Sequence, residues 1–170
     1  MLTDNTTSGT PSNPTRPRSW LTHHRWGLVW TALLAVIILV QWPMIKGMIY
    51  RVSGSPAPDD GIPWRTDFNA ALAEAKQSGK PVLLDFSASW CPPCQVMKHD
   101  VWPDAKVREA VTAGYIPVAV DVDKNQGLAA RYGITGIPSV LIVDAEGKVL
   151  KQGNFMSSGS LLDFLARKPA

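Results

Sequence analysis

Apolar side chains crowd the chain between Trp26 and Ile45, and the stretch Gly27–Val40 carries no charge. A helix of that length rises about 30 Å, the thickness of a bilayer's hydrocarbon layer, and its apolar residues cover every face rather than one stripe. Residues 26–45 therefore read as a transmembrane helix. Trp26, Trp30 and Trp42 stand near its ends, where indole rings favour the interface, and Arg25 and Lys46 bracket it. A cleaved signal peptide also pairs positive charge with an apolar run. Here the leader is long, the run fills a whole span, and no small-x-small cleavage site follows Val40. Residues 1–25, rich at first in Thr, Ser, Pro, Asn and Gly, lack apolar periodicity and are expected to form a disordered tail.

Beyond the span the pattern changes twice. Residues 46–63 end in the Pro/Gly/Ser/Asp run Ser53-Gly-Ser-Pro-Ala-Pro-Asp-Asp-Gly-Ile-Pro63 and read as a linker, so that the folded domain occupies 64–170. Inside it, Thr66 or Asp67 can cap a helix whose apolar positions Phe68, Ala71, Leu72 and Ala75 recur at helical spacing, and Gly79 with Pro81 stops it. Val82–Phe86 is a continuous apolar run broken by one acid, the pattern of a strand buried on both faces. A helix from Cys91 to about Val101 follows, then Pro103 interrupts and Asp104 caps a second piece through Ala113. Ile116–Val122 reads as a strand, Gln126–Tyr132 as a short helix, Ser139–Val143 as a strand, Lys148–Lys151 as another after a turn at Glu146-Gly147, and Ser160–Arg167 as a last helix. The order β-α-β-α-β-β-α predicts an α/β sandwich with helices flanking one sheet.

Charge adds one correction to first impressions. The whole chain of 170 residues carries a net +3, but residues 1–58 hold five Lys/Arg against one acid while residues 59–170 hold twelve against thirteen. The domain thus offers no basic patch of the kind a nucleic-acid partner needs. Arg16, Arg18 and Arg25 before the span outnumber Lys46 and Arg51 after it, which with Asp59-Asp60 beyond favours a cytoplasmic amino terminus and an exported domain.

The chain holds only two cysteines, Cys91 and Cys94, in Trp90-Cys91-Pro92-Pro93-Cys94. That count excludes a disulfide-stapled miniprotein and a four-cysteine zinc site. Cys91 falls at the junction of strand and helix, where unpaired amides and the macrodipole favour a thiolate, which is both a nucleophile and a good leaving group. Cys94 lies one turn on along the same face, in reach of a mixed disulfide held on Cys91, and is the resolving thiol in a redox reading. A structural staple is the plainer alternative, though closing so short a loop contributes only about 2 kcal/mol. A soft metal such as Cu(I) is the other, with Met97 as a third donor; His99 would stand about 12 Å along the helix from Cys91, too far to share an ion.

Asp85 is the odd residue of its strand. It either lies buried beneath the cysteines as a proton acceptor for Cys94, or points to the rim and bonds backbone or water, and periodicity does not choose between them. Pro138 precedes a strand, where it belongs at the first position or in a special turn, and the Ile137-Pro138 dipeptide alone does not decide between cis and trans. Trp90 and Trp102 are packing residues by default, though aromatics beside a thiol can also meet a partner.

Taken in order, Val82-Leu-Leu-Asp-Phe-Ser-Ala-Ser-Trp-Cys-Pro-Pro-Cys94, Asp121-Val-Asp123, Tyr132-Gly-Ile-Thr-Gly-Ile-Pro138 and Gly153 before a final helix resemble the thioredoxin superfamily over roughly residues 64–168. The Ala/Lys-rich first helix and Lys106-Val-Arg-Glu-Ala-Val are most similar to the periplasmic domain of membrane thiol:disulfide interchange reductases. The resemblance implies a thioredoxin-like fold with Cys91 attacking, Cys94 resolving, Asp85 as the buried acid and Pro138 as a cis-proline facing the disulfide. It implies further that Trp90, Pro92, Pro93, Ile137 and Pro138 meet substrate, with Ile137 offering backbone hydrogen bonds to an extended segment. Two positions depart from the family. Ala119 stands where thioredoxins carry a lysine beside the buried acid, and His99 replaces the mid-helix proline, with the break displaced to Pro103.

The expectation is a single-pass thiol:disulfide oxidoreductase of a bacterial inner membrane, needing no cofactor, its domain in the periplasm. Its partners would be exported protein disulfides or thiols, a membrane or soluble redox partner and the lipid bilayer, with no nucleic acid. A soft-metal or assembly module using the same cysteines is the alternative.

Overall fold

The computed structural model describes residues 20–166; most of the expected amino-terminal tail lies outside them. Helix α1 (Trp20–Ser53) begins inside that expected tail, because from Arg18 to Trp26 no proline or glycine opposes helix propagation. Among the described residues, those up to Val40 form one unit and those from Gln41 onward another. In the first, every side chain from Val29 to Val40 is exposed. Among the described residues one helical stretch, Val29–Ser53, is long and apolar enough to cross a membrane, with mean hydropathy 1.9. The helix also runs eight residues into the expected linker, which starts only at Gly54. Met44–Val52 has no strong breaker besides Gly47.

In the second unit, helix α2 (Phe68–Ser78) starts at Asp67, whose carboxylate accepts the Asn69 and Ala70 amides at 2.8 and 3.0 Å, and ends at Gly79 in the left-handed conformation. Losing both bonds in Asp67→Ala should cost about 1 kcal/mol and a few degrees of thermal midpoint, with no effect on the cysteine pair. Calorimetry checks this.

Strand β1 (Val82–Ser87) is central. It pairs in parallel with β2 (Ile116–Asp121) and antiparallel with β3 (Ser139–Val143), which pairs antiparallel with β4 (Val149–Gly153), in the order β2-β1-β3-β4. The parallel pair is possible because a long crossover joins it. That crossover carries α3 (Pro92–Val96), a π-helical turn at Met97–Val101, and α4 (Ala105–Gly114) capped by Asp104. Short α5 (Gln126–Arg131) and terminal α6 (Ser158–Ala166) complete the fold.

The sheet divides the core. Val82, Leu84 and Phe86 face Phe68, Ala71 and Ala75 of α2, whereas Leu83 faces Met97, Val101, Trp102, Val107 and Leu161. With side chains alternating along a strand, Asp85 shares the face of Leu83, under the helix that follows the cysteines. One further pairing extends the sheet at its β2 edge. Arg65 forms a parallel bridge with Val118: its amide donates to the Pro117 carbonyl and its carbonyl accepts from the Ala119 amide, both at 2.9 Å.

Candidate active site

Cys91 is the N-cap residue of α3, and Pro92 and Pro93 fill its first positions, where their missing N–H groups cost nothing. The backbone amide of Cys94 donates to Cys91 Sγ at 3.2 Å, an arrangement that supports negative charge on that sulfur. The two residues are joined in a disulfide, with Cα atoms 5.3 Å apart and only 2% and 4% of their surfaces exposed. They pack with Ala88, Val122 and Ile137. Trp90, by contrast, is half exposed, its indole N–H donating to Asp123 Oδ2 at 2.9 Å. Asp123 was legible only as part of a motif, and its tie to Trp90 spans 33 residues of sequence.

Behind the disulfide lies Asp85. It is buried, and its Oδ1 has no hydrogen-bond partner. Burial raises its pKa from 3.8 to about 7, against a smaller opposing pull from a hydrogen bond with the Trp102 side chain; the charge of Asp60 pushes up slightly and that of Lys98 pulls down. The cross-strand neighbour of Asp85 on β2 is Ala119, so no ammonium group sits there. Asp85 and Cys94 line one cavity of roughly 640 Å³, together with Gln95, Lys98, Trp102 and Asp60. Asp85 is thus buried rather than turned to the rim. Sequence patterning does not single out Lys98 or Asp60 for this site; Lys98 lies four residues after Cys94, about one turn further along the helix, a spacing that could flag it.

On the other side of the disulfide the Ile137-Pro138 peptide bond is cis. Pro93, Ile137 and Pro138 line a shallow cleft of roughly 300 Å³ with Gln152, Asn154 and Phe155. Trp90, Pro92, Pro93, Ile137 and Pro138 thus surround the cysteines, whereas Trp102 packs in the core, edge-on to Trp64 at 5.0 Å between ring centres. Met97, the third donor of the metal alternative, is 1% exposed and packs with Leu83 and Val101 rather than with the cysteines. Among the described residues no group of three His, Cys, Asp or Glu is placed to hold an ion.

A disulfide at the head of a helix, a buried acid on the strand before it and a cis-proline across from it define the thioredoxin class of α/β protein. Residues 63–145 match the model of the thioredoxin-like family. It is 42% identical over 77 residues to the thiol:disulfide interchange protein DsbD 1 of Pseudomonas aeruginosa, a match covering 43% of this chain and 13% of that protein. The structure resembles a disulphide isomerase from Xylella fastidiosa with TM-score 0.52 and 30% identity, covering 62% of this chain and 95% of that one. It also resembles the oxidised C-terminal domain of Neisseria meningitidis DsbD with TM-score 0.50 and 25% identity, covering 59% and 95%. The chain therefore spans a small part of its DsbD relative but nearly all of a single thioredoxin-like domain.

Proposed function

We propose that this chain is a membrane-tethered thiol:disulfide oxidoreductase that exchanges disulfides with exported proteins through Cys91 and Cys94. The observation that carries the reading is the pairing of a disulfide at a helix start with a buried carboxyl behind it whose Oδ1 has no hydrogen-bond partner. In the reducing direction, the Cys91 thiolate attacks one sulfur of a substrate disulfide and the other substrate sulfur leaves as a thiolate. Asp85 takes the proton of Cys94, directly or through water in the shared cavity, and Cys94 attacks Cys91 Sγ, expelling the second substrate thiol. Two electrons have then passed from the cysteine pair to the substrate. A thiol donor resets the enzyme by the reverse steps, with Asp85 returning the proton to the departing Cys94. A carboxyl that titrates near neutrality serves both directions.

Trp90, Pro92, Pro93, Ile137 and Pro138 form the rim against which an extended substrate segment lies. The exposed apolar stretch Val29–Val40 and the excess of arginines before it support a single-pass anchor in a bacterial inner membrane, with the amino terminus cytoplasmic and the domain periplasmic.

Thiol-driven reduction of insulin disulfides by the full chain in detergent tests the activity. Turnover above the uncatalysed rate, abolished in Cys91→Ala, is the expected result, and equal rates for parent and variant would defeat it. Titrating the Cys91–Cys94 pair against glutathione then sets the direction: a potential near about −270 mV marks a reductant and one near about −120 mV an oxidant.

A further inference from the structure

The end of α1 does not trail away from the domain; it lies on the active-site helix. Gly47 is buried, and a Cβ placed there would overlap the Pro92 carbonyl, so helix backbone meets backbone at the residue next to Cys91. Three neighbours fasten the contact. Lys46 Nζ pairs with Asp100 Oδ2 at 2.7 Å. The Tyr50 hydroxyl donates to Asp100 Oδ1 at 3.0 Å while its ring stacks on His99, 4.1 Å between centres and 6° from parallel. Arg51 Nη1 donates to the Trp90 carbonyl at 3.1 Å. Tyr50 and Arg51 also line the cavity that reaches Cys94 and Asp85.

The contacts are well placed but individually weak, being partly exposed polar pairs and one ring stack rather than a buried apolar interface. A protein partner bonded to Cys91 must cover both flanks of that sulfur. One flank, Pro93 with Ile137 and Pro138, is an open cleft. The other, Trp90 with Pro92, is where Gly47 and Arg51 sit.

We propose that residues 46–53 are a built-in latch, which occupies the Trp90–Pro92 flank of Cys91 and lifts away before a protein disulfide docks. A small reagent needs only one side of the disulfide, and the open cleft beside Ile137, which packs with Cys91 and Cys94, leaves it one without such opening. The inference rests on reading Cys91–Cys94 as an exchanging pair, but its test separates the two ideas.

The full chain in detergent micelles would be compared with Gly47→Leu, whose side chain cannot fit against the Pro92 carbonyl, and with Tyr50→Ala, which removes the stack and one hydrogen bond without adding bulk. Two rates are read: insulin reduction driven by dithiothreitol, and reduction of the Cys91–Cys94 disulfide by a small phosphine. The latch requires insulin reduction to rise about tenfold in both variants, the effect of losing contacts of this kind, with the phosphine rate within about twofold of the parent. Insulin rates unchanged or lower in an active background, or equal rises in both rates, overturn it. Should the parent reduce no protein disulfide, the exchange reading falls, and amide hydrogen exchange judges the latch alone. Protection at residues 47–51 in the parent that is lost in Gly47→Leu upholds it, and equal exchange in the two proteins overturns it.

Discussion

A Cys94→Ala protein should accumulate its partners as mixed disulfides on Cys91. With the Cα atoms 5.3 Å apart, Cys94 acts as an intramolecular thiol, and such groups reach effective concentrations of about 10⁵ M or more. Its removal leaves only solution thiols to free the captured protein, so release should slow by at least about 10³-fold. Capture itself needs only Cys91 at the start of α3 and should continue. Non-reducing electrophoresis of membranes from cells given a thiol oxidant, followed by mass spectrometry of the Cys91 peptide, reads the outcome. Failure to recover any protein on Cys91 would count against exchange with exported proteins.

Asp85→Asn should slow the same resolving step about 10²-fold, the usual weight of a general base, while leaving formation of the mixed disulfide intact. Its effect on stability has a definite sign. In the unfolded chain an aspartate ionises above about pH 4, but in the fold burial raises the Asp85 pKa to about 7. Between those values the folded state holds a proton that the unfolded state has lost, so the free energy of unfolding falls as pH rises from about 4 to about 7, and it stays low above that. Asparagine carries no such penalty, although its amide must also be desolvated. The variant should therefore exceed the parent's thermal midpoint at pH 8 by the equivalent of about 1–2 kcal/mol and lose that advantage near pH 4. Stopped-flow resolution and calorimetry at both pH values check it. Normal resolution with a lowered midpoint would make Asp85 a structural acid and remove it from the mechanism.

Much of this architecture can be read from residue order because local signals and burial agree. Asp67 and Asp104 cap helices where their side chains suit an N-terminus, Gly79 ends one, and the apolar runs at Val82 and Ser139 become fully buried strands. Cys91 and Cys94 announce themselves by residue type, whereas Pro138 gains its place only through the ordered motifs around it. What stays hidden depends on contacts between distant positions. Nothing local says that the helix after the cysteines takes a π turn at Met97–Val101, since an extra residue in a turn leaves the apolar pattern of Val96, Met97 and Val101 looking helical. Gly47 looks like a weak point that favours a linker, and only the Pro92 carbonyl shows why a side chain is missing there. Asp85 could face either way until the sheet sets its side of β1.

The bridge between Arg65 and Val118 gives the domain a mechanical property. The segment between α1 and the fold enters the sheet there, held by two backbone hydrogen bonds to β2 and by the Arg65 guanidinium on Glu74 of α2. A pull transmitted along residues 54–64 is therefore shared among the buried Ile62, the Trp64–Trp102 contact and the Arg65 bridge, with two backbone bonds and an ion pair loaded together. β1, which carries Asp85 and leads into Cys91, stands one strand further in from that bridge.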